Sequence, residues 1–180
     1  MNIRARLVVF GLVAALLLST LGLKNASAAD LTDEQMARIS ANCLTIKGSL
    51  NQLHASDALL RVNRGQIYES MGTKLMNNFN GRLGSNGLDN KGLTAVTESY
   101  QTALTTFRTN YQTYERQLSA TIKLDCGKDP SGFHDAIEDA RTKRAKVHTD
   151  VLRLHQYIDD YRSAINDFML NFERVTGKNS

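Results

Sequence analysis

The sequence predicts an all-α protein: an elongated, antiparallel, coiled-coil-like three-helix bundle preceded by a signal peptide. Three observations predict it. The 180 residues hold one proline and no tryptophan, and helix-period spacing of apolar residues dominates over strand-like alternation. An apolar stripe spaced by fours and threes runs unbroken from Phe133 to Val175. Strong turn signals interrupt the chain in only two places, near residues 80–92 and near residues 124–132.

The first element is a secretory signal, residues 1–28. Arg4 and Arg6 precede an apolar run from Leu7 to Leu18, and Ala26-Ser27-Ala28 is a small-x-small cleavage site, with cleavage expected after Ala28. The alternative is an uncleaved membrane anchor. The run is shorter than the roughly 20 apolar residues a spanning helix needs. No cysteine follows it, so a lipid-anchored form is not expected. The domain is then residues 29–180. Cleavage removes Arg4, Arg6 and Lys24, which leaves 19 of the 22 Lys and Arg against 18 Asp and Glu. A net charge of +4 falls to about +1 by that subtraction, so the basic balance gives no support for nucleic-acid binding.

The first helix is expected over about residues 33–80. It opens at "LTDEQM", where Thr32 is the N-cap, Gln35 completes a capping box, and Leu31 and Met36 form the staple. Leu50, Leu53, Leu60 and Ile67 mark its apolar face, with Asp57 and Arg64 placed on the same face. "NGRLGSNGLDNKG", residues 80–92, is rich in glycine and asparagine and reads as a loop. The second helix, about residues 91–123, carries Leu93, Val96, Tyr100, Leu104, Phe107, Tyr111, Tyr114, Leu118 and Ile122 on one stripe. Asp129 caps the third helix, residues 130–176, with Pro130 at its first position. Only Arg144 and Tyr161 bring a polar group into that helix's heptads.

Cys43 and Cys126 lie 83 residues apart. An even pair in an exported chain reads as one disulfide, worth about 4.5 kcal/mol by loop-closure entropy. An up-down-up path brings both cysteines to the same end. With Cys43 taken as level with about Ile122, Asp57 falls opposite Arg108 on the second helix and near Arg144 on the third. Asp57, Arg64, Arg108 and Arg144 therefore form a candidate polar layer, with Glu98 and Arg61 close by. Its structural reading is register control, as buried polar residues provide in coiled coils. Its functional reading is a pocket for an anionic ligand, because the arginines outnumber the acids.

The same register leaves the far end of the first and third helices without a third partner. Met76, Phe79 and Leu83 would face Phe168 and Phe172 there, as an apolar tip that dimerises, grips a partner protein, or is covered by the glycine-rich loop. His134, His148 and His155 share one flank of the third helix, but a seven-residue step is about 10 Å, too far for two to share one ion. No nucleophile elbow, phosphate-binding glycine loop or calcium loop is present, so no catalytic residue, metal or cofactor is expected.

"NCLTIKGSLNQLHASDALLRVNRGQIYE" with "DVLRLHQYIDDY" resembles an uncharacterised group of exported helical proteins from ultrasmall candidate-phyla bacteria. That resemblance implies export and an all-helical fold, and it implies no activity. "LTDEQ", residues 31–35, is similar to the LTxxQ motif of small helical periplasmic chaperones, which carry the motif twice where this chain carries it once. Three functions follow as expectations. The first is an interaction module at the cell envelope, with a protein partner or self-association. The second is an extracytoplasmic chaperone or stress protein. The third is a small-anion receptor using the Asp/Arg layer. Contact with a membrane is expected only through an uncleaved signal segment.

Overall fold

The computed structural model describes residues 31–177, in a compact unit that begins at Asp33. The expected signal peptide and its cleavage point lie outside the described residues. Every element among the described residues is helical, and no strand occurs among them. No helix among them is long and apolar enough to cross a membrane.

Helix α1 is Asp33–Ala41 and α2 is Cys43–Ser70, followed by a π-helical stretch, Met71–Met76, and by α3, Asn77–Ser85. Helices α4, Lys91–Lys123, and α5, Pro130–Thr176, complete the unit. The single first helix expected over residues 33–80 is thus divided, for two local reasons. Asn42 separates α1 from α2, and both its backbone N–H (3.1 Å) and its Nδ2 (2.9 Å) donate to the Arg38 carbonyl, so its side chain competes with the ladder. Further on, the Tyr100 hydroxyl donates to the Tyr68 carbonyl at 2.8 Å. A regular α-helix would offer that carbonyl to the N–H of residue 72, and the ladder widens to the π form there.

The loop expected over residues 80–92 shrinks to a turn. Helix α3 runs on to Ser85, and the chain reverses through Gly87 at φ +68°. The Leu88 N–H returns to the Leu83 carbonyl at 3.0 Å, and Leu88 packs on the core, the polar and apolar halves of a Schellman-type stop. At α5, the Asp129 carboxylate accepts from the Gly132 N–H at 2.8 Å, Pro130 takes the first position, and Gly177 ends the helix in the left-handed region.

Packing follows the α4 sequence. Its buried side, from Leu93 through Tyr100, Leu104, Phe107 and Tyr114 to Leu118, is wide enough to serve two neighbours. Against α5, Thr121 meets the Ala136 carbonyl (3.2 Å) and Asn110 meets Asp150 (2.7 Å), so the pair is antiparallel. Against the first segments, Cys126 meets Cys43, Tyr114 meets Asp57, and Thr97 meets Asn80, which is antiparallel again. The Cys43–Cys126 disulfide forms, with Cα atoms 5.5 Å apart. The dry core lies toward the α3 end: Tyr68, Met76, Leu83, Leu93, Tyr100, Leu104, Phe107, Leu154 and Tyr161 form one buried cluster.

Two sequence expectations about register are corrected here. Asp57 lies opposite Tyr114, six residues beyond the expected Arg108 and roughly 9 Å further along α4. The reason is that Cys126 sits past the end of α4, after the extended Leu124, and not level with its last turn. The start of α4 consequently reaches the level of α3, so Met76 and Leu83 are buried against Leu93 and are not an uncovered tip. Phe79 and Phe168 are half-buried on the same core; of the five expected tip residues only Phe172, 42% exposed, stays open. The second correction concerns the inner face of α2. Leu60 and Ile67 are exposed, while Gly65 and Tyr68 are buried and face α4.

Candidate functional site

Along α2 the residues turned toward the other helices are His54, Asp57, Arg61, Gly65 and Tyr68, spaced by threes and fours and mostly polar. Such a face does not pack dry. Over this stretch α2 rests on α4, α4 rests on α5, and α2 meets α5 only through side chains that bridge a gap. The gap is a slot of about 610 Å³ between α2 and α5. That volume lies within the range of small-ligand sites, about 300–1,000 Å³.

Two polar contacts close the ends of the slot. At one end the Arg144 guanidinium grips Asp57 with two nitrogens, Nε to Oδ2 at 2.8 Å and Nη2 to Oδ1 at 3.1 Å. The Tyr114 hydroxyl donates to the same carboxylate at 2.6 Å. Burial works against the charged Asp57 carboxyl, but the hydrogen bonds from Arg144 and Tyr114 and the Arg144 charge outweigh it and hold its pKa below the usual value. Burial and the bond to Asp57 push the Tyr114 hydroxyl up, so it remains a proton donor. At the other end the Tyr68 hydroxyl meets His155 Nε2 at 3.0 Å. Asp57 and Tyr68 are eleven positions apart on α2, which sets the slot at roughly 16 Å long.

Between these ends the floor is aromatic. Tyr68 packs edge-on against Phe107, with centroids 5.8 Å apart, and Tyr111 follows Phe107 along α4. The Arg61 guanidinium lies over both floor rings, 5.5 Å from the centroid of Phe107 and of Tyr111. Gly65 makes room for it: a Cβ on Gly65 would meet an Arg61 terminal nitrogen at 1.9 Å. Arg64 stands on the α2 wall, and Val147, His148 and Val151 form the α5 wall. Among the described residues Asp57 is the only carboxylate in the lining, and Arg144 already holds it. Arg141 at the rim pairs with Glu138. Among the described residues, neither Arg61 nor Arg64 forms an ion pair.

The expected polar layer is therefore not one layer. Asp57 and Arg144 come together, and Arg64 lines the same slot nearer its Tyr68 end. Arg108 does not: it forks onto Glu69, with Nε to Oε1 at 2.7 Å, twelve residues along α2 from Asp57. The register shift accounts for this, because moving α4 along α2 carries Arg108 away from Asp57 and brings Tyr114 in. Tyr114 and Phe107 fall on the α4 stripe and Arg61 beside the expected layer, but their spacing alone does not mark an aromatic floor. Gly65, one turn after Arg61, is the legible signal, since a small residue in a helix face permits a close approach.

A serine, a histidine and an acid do meet near the base of the unit. His54 Nε2 lies 3.1 Å from Glu115 Oε1 and 3.3 Å from Ser119 Oγ, and the Ser119 hydroxyl donates to Glu115 at 3.0 Å. The hydrogen bonds from His54 and Ser119 hold the Glu115 pKa low. A nucleophilic triad needs the acid on one imidazole nitrogen and the hydroxyl on the other. Here both converge on Nε2 and the hydroxyl is spent on the acid, so the cluster ties α2 to α4 and does not activate Ser119. Among the described residues, no three His, Cys, Asp or Glu side chains gather to hold a metal ion. Compared with family models, curated protein sequences and solved structures, the chain matches none.

Proposed function

We propose that this chain is an exported binding module: an elongated antiparallel three-helix bundle over residues 33–177 whose site is the slot between α2 and α5. One observation carries the reading. The helices leave about 610 Å³ between them, floored by rings and closed by polar contacts at both ends, instead of collapsing onto α4. The Cys43–Cys126 disulfide supports an oxidising compartment. So does the resemblance to exported helical proteins, and the charge clustered in the slot supports a small molecule as occupant.

A fragment screen by NMR on the exported, disulfide-bonded protein tests this. Hits whose shifts gather at Phe107, Tyr111, Val147 and Val151 are the expected result. Hits scattered over the surface, or confined to the end of α5, contradict it. A second reading, an extracytoplasmic chaperone, is supported by Met169, Leu170 and Val175, which are all more than half exposed on the last turns of α5 beside Phe172. That reading expects near-stoichiometric suppression of the aggregation of an unrelated unfolding protein, lost in Phe172→Asp; the absence of suppression ends it.

A further inference from the structure

We infer that the slot takes an amphiphilic organic oxyanion, with its charged group held by Arg61 and Arg64 and its apolar body lying along Leu60 and the valines of α5. The inference rests on the reading of the slot as the binding site and goes further by naming the class of ligand.

Charge comes first. Arg61 and Arg64 sit one turn apart on the same wall with no carboxylate partner, and the one acid of the slot is gripped by Arg144 and Tyr114. An added anion meets two guanidiniums that, among the described residues, no carboxylate holds, and the carboxylate in the lining is already paired with Arg144. Guanidiniums match carboxylates and phosphates two nitrogens to two oxygens, the geometry Arg144 already uses on Asp57. Position comes second. Arg61 is laid on the Phe107 and Tyr111 faces, a placement that Gly65 allows, so its fork is oriented before the ligand arrives. That reduces the ordering cost of binding.

The rest of the lining defines the body of the ligand. Leu60, Val147 and Val151 offer apolar surface along the slot, exposed at Leu60 and half-buried at the two valines. An inorganic anion would leave that surface wet, and a neutral chain would leave two guanidiniums facing apolar groups. A head group with an apolar body satisfies both. A head group at Arg61 and Arg64, four and seven positions from Asp57 on α2, leaves roughly 6–10 Å of the slot on either side, which suits a compact ring system or part of a chain such as that of decanoate. A free carboxylate and a lipid headgroup share this chemistry.

Calorimetric titration of the exported, disulfide-bonded protein with decanoate, decanol and inorganic phosphate tests the inference, with cosedimentation on phosphatidylglycerol vesicles as a parallel arm. The expected result is that decanoate binds, decanol binds roughly tenfold or more weakly, and phosphate alone gives no heat. Arg61→Gln with Arg64→Gln should lose the preference for decanoate. Arg61→Lys should keep part of it, and Gly65→Ala should weaken it by displacing the Arg61 side chain. Unchanged melting of each variant shows that the fold is intact. Binding to vesicles but not to free decanoate, lost in the same double variant, supports the oxyanion chemistry and assigns the head group to a lipid. Equal binding of decanol and decanoate, untouched by the arginine variants, overturns the anion inference and leaves the slot as an apolar site. No binding of any probe overturns both.

Discussion

The two halves of the first helical segment pack differently against the same partner. From Cys43 to Arg64, α2 buries no residue, although it carries Leu44, Leu59, Leu60 and Val62. From Gly65 to Leu83 the chain buries Tyr68, Gly72, Met76, Asn80 and Leu83 against α4 and α5. Apolar content does not explain the contrast. In the packed half small or hydrogen-bonding residues allow close approach: Gly72 lies against Tyr100, Asn80 donates to Thr97 at 2.9 Å, and the Tyr161 hydroxyl donates to Asn80 at 2.8 Å. In the open half the inner positions are long and charged, so they hold α2 off α5 and the leucines point outward. The open half is held instead by separate ties, the disulfide at its base and, further along α2, the His54–Glu115 and Asp57–Arg144 contacts.

The sharpest way to break this contrast is to cut the tie. Cys43→Ser with Cys126→Ser should cost up to about 4.5 kcal/mol in denaturant unfolding. Amide exchange should rise first in the Cys43–Arg64 stretch while the Tyr100–Leu104 region stays protected; uniform loss would mean the halves unfold as one. The next largest effect is in the packed half. Leu154→Ala, at a fully buried position, should cost about 2–5 kcal/mol, whereas Leu60→Ala, at an exposed one, should stay within about 0.5 kcal/mol. Equal costs would erase the difference between the halves. Gly72→Ala places a Cβ 2.4 Å from Gln101 Nε2 and 3.1 Å from the Tyr100 ring and should cost about 1–3 kcal/mol by overpacking, seen as a lower unfolding midpoint.

The smallest effect is electrostatic. The pKa of Asp57 is lower folded than unfolded, so its contribution to stability is complete above the unfolded value, near pH 4, and is lost as pH falls through the folded value. Because Arg144 is half exposed, the amount is at most about 1 kcal/mol. Urea midpoints between pH 2 and pH 5 should therefore fall less steeply in Asp57→Asn than in the parent chain.

Much of this architecture is legible in the residues. Asp129, Pro130 and Gly177 mark the ends of α5, and its heptads follow the buried and half-buried positions from Phe133 through Leu154 to Phe168. Tyr100, Leu104, Phe107 and Leu118 mark the buried side of α4 in the same way. The inner face of α2 is not legible from apolar spacing, because Gly65, Tyr68, Gly72 and Asn80 are recognised only by what approaches them. Leu60 and Ile67 carry the more obvious pattern and lie outside. The π stretch is likewise hidden, since it depends on a hydroxyl from Tyr100, 32 residues away from the carbonyl it takes. Of the site, Asp57, Arg64 and Arg144 stand out in the sequence as charges on an apolar stripe. The aromatic floor does not, because Phe107 and Tyr111 read as ordinary core, and only the structure lays Arg61 over their rings.

The slot is open to solvent and the core beside it is closed. Methyl NMR in the presence of a small, soluble nitroxide tests it most directly. Strong broadening is expected at the Val147 and Val151 methyls and none at Leu104 and Leu154. Valine methyls as protected as those of Leu154 would mean that α2 closes onto α5 in solution, and the binding site would be contradicted.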